Sequence, residues 1–166
     1  MAEVRSDITK SQANRHDNVN ELTITRIFIA PRERVFQTNT DPNLVPQWWG
    51  SRDLTTTVDQ MDVRPGGAWR FVQRDSEGNE YAFRGVYHAV TPPERLVYTF
   101  EFEGMPGHML LETVTFEEID GKTKVTDKSV FQTVEDRDGM LKAGMEAGST
   151  ETMDRFAELL EEQKPF

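Results

Sequence analysis

Hydrophobic and polar positions alternate most sharply in "LVYTFEF". Leu96, Tyr98, Phe100 and Phe102 fall on one side of an extended chain, and Val97, Thr99 and Glu101 fall on the other. The alternation predicts a strand with a buried, largely aromatic face. From Leu54 to about Phe131 the chain repeats this pattern in strand-length stretches. They are punctuated by turn sequences: RPGG at 64–67, SEGN at 76–79, TPPE at 91–94, EGMPGH at 103–108 and IDGK at 119–122. The spacing predicts about six antiparallel strands in a meander. Upstream, the Thr- and Ile-rich "ELTITRIFI" from Glu21 predicts one more strand, ending at Ala30-Pro31. Pro31 then opens a short helix over "PRERVFQTN" with Val35 and Phe36 inward. Thr40 or Asp41 caps a second short helix in "TDPNLVPQWWG", which Pro46 keeps irregular and Gly50 follows.

Beyond Phe131 the period changes from two to that of a helix. In "DGMLKAGMEAGSTETMDRFAELLEEQ", Met145, Ser149, Thr152, Phe156, Leu159 and Gln163 recur at spacings of three and four, which predicts one long amphipathic C-terminal helix. Gly144 and Gly148 lie four apart on it. They read equally as room for a ligand or another backbone and as a kinked helix start. The fold class is α+β: a curved antiparallel sheet of six to seven strands wrapped around the C-terminal helix, with two short helices after the first strand. A sheet that grips one helix instead of a second sheet seldom fills its concave face, so an internal cavity is expected. Residues 1–20 are polar and read as a flexible leader, and residues 21–166 as a single domain.

Composition narrows the function classes. A formal net charge of −10 and a pI near 4.8 oppose phosphate backbones and anionic lipid surfaces, so no nucleic-acid partner is expected. No run approaches the ~18 apolar residues of a membrane span, so no membrane insertion is expected. The N-terminus has no apolar signal region, and the chain is read as cytoplasmic. With no cysteine there is no thiol nucleophile and no Cys-based zinc site. His16, His88 and His108 show no metal-ligand spacing, no GxSxG elbow is present, and RPGG lacks the spacing of a phosphate-binding loop. No metal or cofactor is expected.

Five segments in order, "TRIFIAPRERVFQTNTDPNLVPQWWG", "VRPGGAWRF", "GVYHAVTPPERLVYTFEF", "ETVTFEEIDGKTKVT" and "GMEAGSTETMDRFAELL", carry a resemblance. The chain resembles single-domain proteins related to the activator of Hsp90 ATPase, in the START-like or Bet v 1-like superfamily, over about residues 22–162. The resemblance implies a helix-grip fold with an internal hydrophobic cavity. It leaves the chemistry open, because one fold serves many functions. A small, largely apolar ligand in the cavity is the first expectation. The alternatives are a cofactor-independent cyclase or hydrolase using a cavity carboxylate and a co-chaperone-like interaction domain. The additional N-terminal domain of the full co-chaperone is not expected here, which counts against a chaperone ATPase partner. A homodimer stays open.

In the family pattern the tryptophan-glycine segment lies at the cavity mouth. Adjacent residues on a helix point about 100° apart, so one of Trp48 and Trp49 is expected to anchor the segment and the other to serve as a lid. Trp69 and Phe71 share a strand face and read equally as cavity lining and plain core. If Val114 and Phe116 face inward, so does Glu112, and if Val125 and Phe131 do, so do Asp127 and Ser129. Glu112 and Asp127 are thus candidates to orient a ligand or to act as general acid or base. The competing reading has a bulge turning them to solvent, or Arg26, Arg70 or Arg84 neutralising them. The expected ligand-binding set is Trp48, Trp49, Trp69, Phe71, Tyr98, Phe100, Glu112, Asp127, Met145, Gly148 and Thr152.

Overall fold

The computed structural model describes residues 12–15 and 19–162. Within them the period-two segments form strands: β1 (Gln12–Arg15), β2 (Glu21–Phe28), β3 (Thr55–Met61), β4 (Ala68–Arg74), β5 (Glu80–Thr91), β6 (Arg95–Phe102), β7 (Leu110–Ile119) and β8 (Lys122–Phe131). The seven expected strands are β2 to β8. The segment 12–15, expected within a flexible leader, adds an eighth by pairing antiparallel with β2, and the rest of residues 1–18 lies outside the described residues. All neighbours are antiparallel in the order β1-β2-β8-β7-β6-β5-β4-β3. The register slips between Val58 and Gln60 in β3 and between Tyr87 and Ala89 in β5. Such bulges bend a strand and increase its twist, and here they help the sheet to curl.

The helices fill the concave side. Helix α1 (Arg32–Thr40) follows Pro31, buries Val35 and Phe36, and sets Phe36 edge-on to Phe116 of β7 with ring centroids 5.2 Å apart. The second short helix is a single 3₁₀ turn, Val45–Gln47, with Pro46 inside it. The C-terminal segment is two helices, not the one expected. Helix α2 (Val134–Lys142) starts at Thr133, whose hydroxyl accepts from the Asp136 backbone N–H at 3.0 Å. Helix α3 (Met145–Glu162) follows Gly144, whose φ of 93° breaks the helical path. A left-handed residue at a helix end favours glycine, and the kinked-start reading is the one realised at Gly144. Gln163 lies outside the described residues.

Helix α3 is pinned at its C-terminal half. Phe156, Leu159 and Leu160 are buried, and the Phe156 ring packs on Phe28 at 5.0 Å and on Trp48 at 4.8 Å. Arg26 of β2 reaches Asp154 at 2.6 Å, and Arg34 of α1 donates to the Leu160 carbonyl. Residues 145–153 are not buried to the same degree, so the sheet and α3 diverge toward the helix start. No helix among the described residues is long and apolar enough to cross a membrane.

Gly50, which ends the tryptophan segment, has φ of 88°, and a β-carbon there would lie 1.6 Å from Gln73 Nε2. Gln73 is itself buried in β4, so it has little room to retreat. Gly50→Ala is expected to cost at least about 2 kcal/mol, combining backbone strain with displacement of a packed side chain. Chemical denaturation of the two proteins measures it.

Candidate functional site

Where α3 stands off from the sheet, the fold encloses a cavity of about 450 Å³. Its walls come from the inner faces of β2 to β8, helix α1, the tryptophan segment, the α2–α3 junction and the facing side of α3. The volume is in the range of small-molecule sites. All eleven residues named from the sequence lie on this wall. The wall also carries residues not singled out there, including Asn39, Met61, Phe83, Tyr87, Met140 and Met153. Met61 and Tyr87 flank the two bulges, which a strict period-two reading passes over. Met140 reaches the cavity because the chain turns at Gly144, a break the helical period does not signal.

The two tryptophans lie just past the 3₁₀ turn, not on a helix, and take different environments. Trp48 is buried, donates from Nε1 to the Thr38 carbonyl at 3.0 Å and packs edge-on against Phe156. It anchors the segment. Trp49 is half-buried and meets Phe71 and Phe83 edge-on at 5.1 and 5.2 Å, on the cavity rim. Trp69 sits deeper, with its Nε1 donating to the Thr99 carbonyl at 3.1 Å and its ring 4.8 Å from Phe71. Both are core and lining at once.

Helix α3 latches the rim. The Arg155 guanidinium donates to the carbonyls of Gln47 at 3.0 Å, Trp49 at 3.3 Å and Gly50 at 2.9 Å. Arg52 pairs with both carboxylate oxygens of Glu158 at 2.6 and 3.0 Å, and its backbone N–H donates to Glu151 at 2.6 Å. A cation shared among carbonyls at a chain turn holds the turn's shape as well as its position. Arg155→Met is expected to destabilise the fold by about 1–3 kcal/mol and to expose Trp49. Acrylamide quenching of tryptophan emission would rise, because Trp48 and Trp69 stay buried.

One stretch of the wall is polar. Register places Tyr98 of β6 opposite Glu112 of β7, and Glu112 opposite Ser129 of β8, with Asp127 one inward position further along β8. The Ser129 hydroxyl donates to Glu112 Oε1 at 3.3 Å, and the Tyr98 hydroxyl also interacts with the Glu112 carboxyl. Asp127 lines the cavity, and its Oδ1 is buried with no hydrogen-bond partner. No bulge turns either carboxyl outward. The arginines considered for neutralising them are engaged elsewhere: Arg26 with Asp154, Arg70 with Glu103 at 2.7 Å, and Arg84 with Glu101 at 2.9 Å.

Burial therefore acts on two carboxyls without a cation. Desolvation raises Glu112 above the usual carboxylate range, while the Tyr98 and Ser129 hydroxyls partly restore its ionised form. Asp127 is raised well above that range by desolvation first and then by Glu112 beside it. Burial together with the two carboxyls holds the Tyr98 phenol protonated. The pair thus divides into a Glu112 that ionises first and an Asp127 that keeps its proton.

Because the native pKa of Asp127 lies above its unfolded value of about 4, the native state binds more protons in the window between them. Stability from this group is greatest below the unfolded value and falls as pH rises toward the native one. Asp127→Asn lacks this loss, so its stability relative to the parent protein is expected to grow from about pH 4 upward. Thermal denaturation across pH measures the difference, and parallel curves would contradict the assignment.

A family model described as Activator of Hsp90 ATPase homolog 1-like protein matches residues 29–161. No curated protein matches the chain. Among solved structures the chain is similar to protein Ms6760 of Mycobacterium smegmatis at 26% identity and a TM-score of 0.82, covering 90% of this chain and 95% of that one. It is also similar to a protein of Arthrobacter aurescens at 22% identity and a TM-score of 0.85, covering 91% of each chain. DynU16, a protein in the dynemicin biosynthetic locus, aligns at 23% identity and a TM-score of 0.65, covering 88% of this chain and 49% of that one. The last two likenesses show the fold alone.

Proposed function

Since the chain belongs to the Activator of Hsp90 ATPase homolog 1-like protein family and has its helix-grip fold, we propose that it binds a small, largely apolar molecule in the cavity between sheet and C-terminal helices. One observation carries this reading. The chain leaves about 450 Å³ unfilled beside aromatic side chains that would otherwise pack together. Interiors normally close to crystal-like density, so an apolar cleft of this size, open at one side and lined by aromatic side chains, favours a ligand site over plain core. Trp49 and its arginine latch supply a rim that opens without disturbing the Trp48 anchor. A chaperone-docking role draws no support from Trp48, which is buried.

The division between Glu112 and Asp127 favours a second reading, in which the same cavity carries out cofactor-independent acid–base chemistry. A carboxyl that holds its proton beside one that ionises can donate and accept in turn. Under that reading Asp127→Asn abolishes turnover of a bound substrate and leaves its binding nearly intact.

The binding reading is tested at Gly148, which lines the cavity and where a β-carbon would meet nothing within 4 Å. Gly148→Leu places a side chain in that space and removes a glycine from a helix interior. It is expected to raise stability by about 0.5–1 kcal/mol and to weaken binding of N-phenyl-1-naphthylamine, an apolar fluorophore uncharged at neutral pH, by about tenfold or more. Fluorescence titration and thermal denaturation read the two effects. Unchanged probe affinity in a stabilised variant, or no probe binding by the parent protein, would count against the cavity as the site.

A further inference from the structure

Two buried carboxyls share one wall of the cavity, and among the described residues no lysine or arginine pairs with either. The hydroxyls that could donate to them, Tyr98 and Ser129, are both directed at Glu112. Asp127 Oδ1 is left as a buried acceptor with no donor. A buried polar atom without a partner costs free energy in the empty protein, and a ligand that satisfies it recovers that cost. What Asp127 lacks is a donor, and what the wall lacks is a positive charge.

Building on the binding reading above, we propose that the ligand class is a hydrophobic amine, whose ammonium group sits against Asp127 and Glu112 while its apolar body fills the aromatic part of the cavity. An ammonium brings several donors, and an alcohol brings one. Aromatic faces such as those of Tyr98, Trp69 and Phe100 attract a cation that has left water. The overall charge of −10 draws cations toward the protein and disfavours acidic ligands such as fatty acids. The groups facing Asp127 agree. On β7 it meets Glu112, on β6 Tyr98, and on β2 the apolar Ile24 directly opposite, while Arg26 two residues further along β2 is paired with Asp154. Helix α3 presents Met145, Gly148, Ser149, Thr152 and Met153 to the cavity and no charged side chain.

Burying an ion pair costs desolvation on both sides, so the informative comparison is between ligands of one shape. The probes are 2-naphthylmethylamine and 2-naphthylmethanol, which share the ring and differ in the terminal group. Titration calorimetry at pH 7 is expected to show the amine binding at least about tenfold more tightly than the alcohol. In two buffers of different ionisation enthalpy, the amine is expected to release about one proton per site, given up by Asp127 as it takes the ammonium. Asp127→Asn should weaken the amine much more than the alcohol, removing the preference between them, and abolish proton release. Glu112→Gln gives an independent removal of charge and should weaken the amine selectively, and a thermal melt of each variant establishes that it is folded. Alcohol binding equal to or tighter than amine binding would overturn the amine assignment and leave the binding reading standing. Failure of both probes and of the neutral fluorophore would overturn both.

Discussion

The wedge of Phe156 between Phe28 and Trp48 is the contact on which the rest of the site depends. It fixes the C-terminal half of α3 to the sheet, together with Leu159, Leu160 and the Arg26–Asp154 pair, while Met145 at the helix start packs against a smaller cluster of Leu22, Ile24, Leu110 and Phe131. A curled sheet and a straight helix touch along a limited length. Between the two contacts the helix and the concave sheet leave the cavity open. Gly144 then turns the chain so that α2 closes the far end, and Met140 and Met145 face the gap from either side of the turn. The cavity is thus a consequence of where the helix is held, and the aromatic faces of β4 to β6 line it because no second sheet covers them.

The same anchoring explains the rim. Trp48 is committed to the Phe156 wedge and to the Thr38 carbonyl, which leaves its neighbour Trp49 to point along the opening. Arg155 lies one residue before Phe156, so the helix turn that makes the wedge also presents the guanidinium to the carbonyls of the tryptophan segment. Core and latch are therefore coupled through adjacent residues. The rim is held by polar contacts and the anchor by apolar ones, so the two are held by different kinds of interaction.

Much of this was legible in the sequence, for identifiable reasons. Strand alternation on β6, β7 and β8 is strict, so the inward facing of Tyr98, Glu112, Asp127 and Ser129 followed from counting by two. The expected anchor-and-rim division of Trp48 and Trp49 is found, but it arises after the 3₁₀ turn has ended, from the contact of Trp48 with Phe156 far away in the chain, and not from helical spacing. The helix break at Gly144 was one of two readings, since a glycine in a helical pattern signals both flexibility and close packing. Met61 and Tyr87 were missed because bulges shift the register by one, and β1 because a four-residue stretch with alanine as its one apolar residue carries no apolar period. The absence of a cation beside the carboxyls was beyond reach, because the partners of Arg26, Arg70 and Arg84 are set by long-range packing.

The most direct measurement uses the methionines. The chain has seven, of which Met61, Met140, Met145 and Met153 line the cavity while Met105 and Met109 are exposed. With methyl-labelled methionine, titration with N-phenyl-1-naphthylamine followed by NMR should shift the four cavity methyls and give contacts between them and the probe's ring protons. The resonances of Met105 and Met109 should hold their positions. Shifts confined to Met105 and Met109, or no shift at the cavity methyls at saturating probe, would contradict the account.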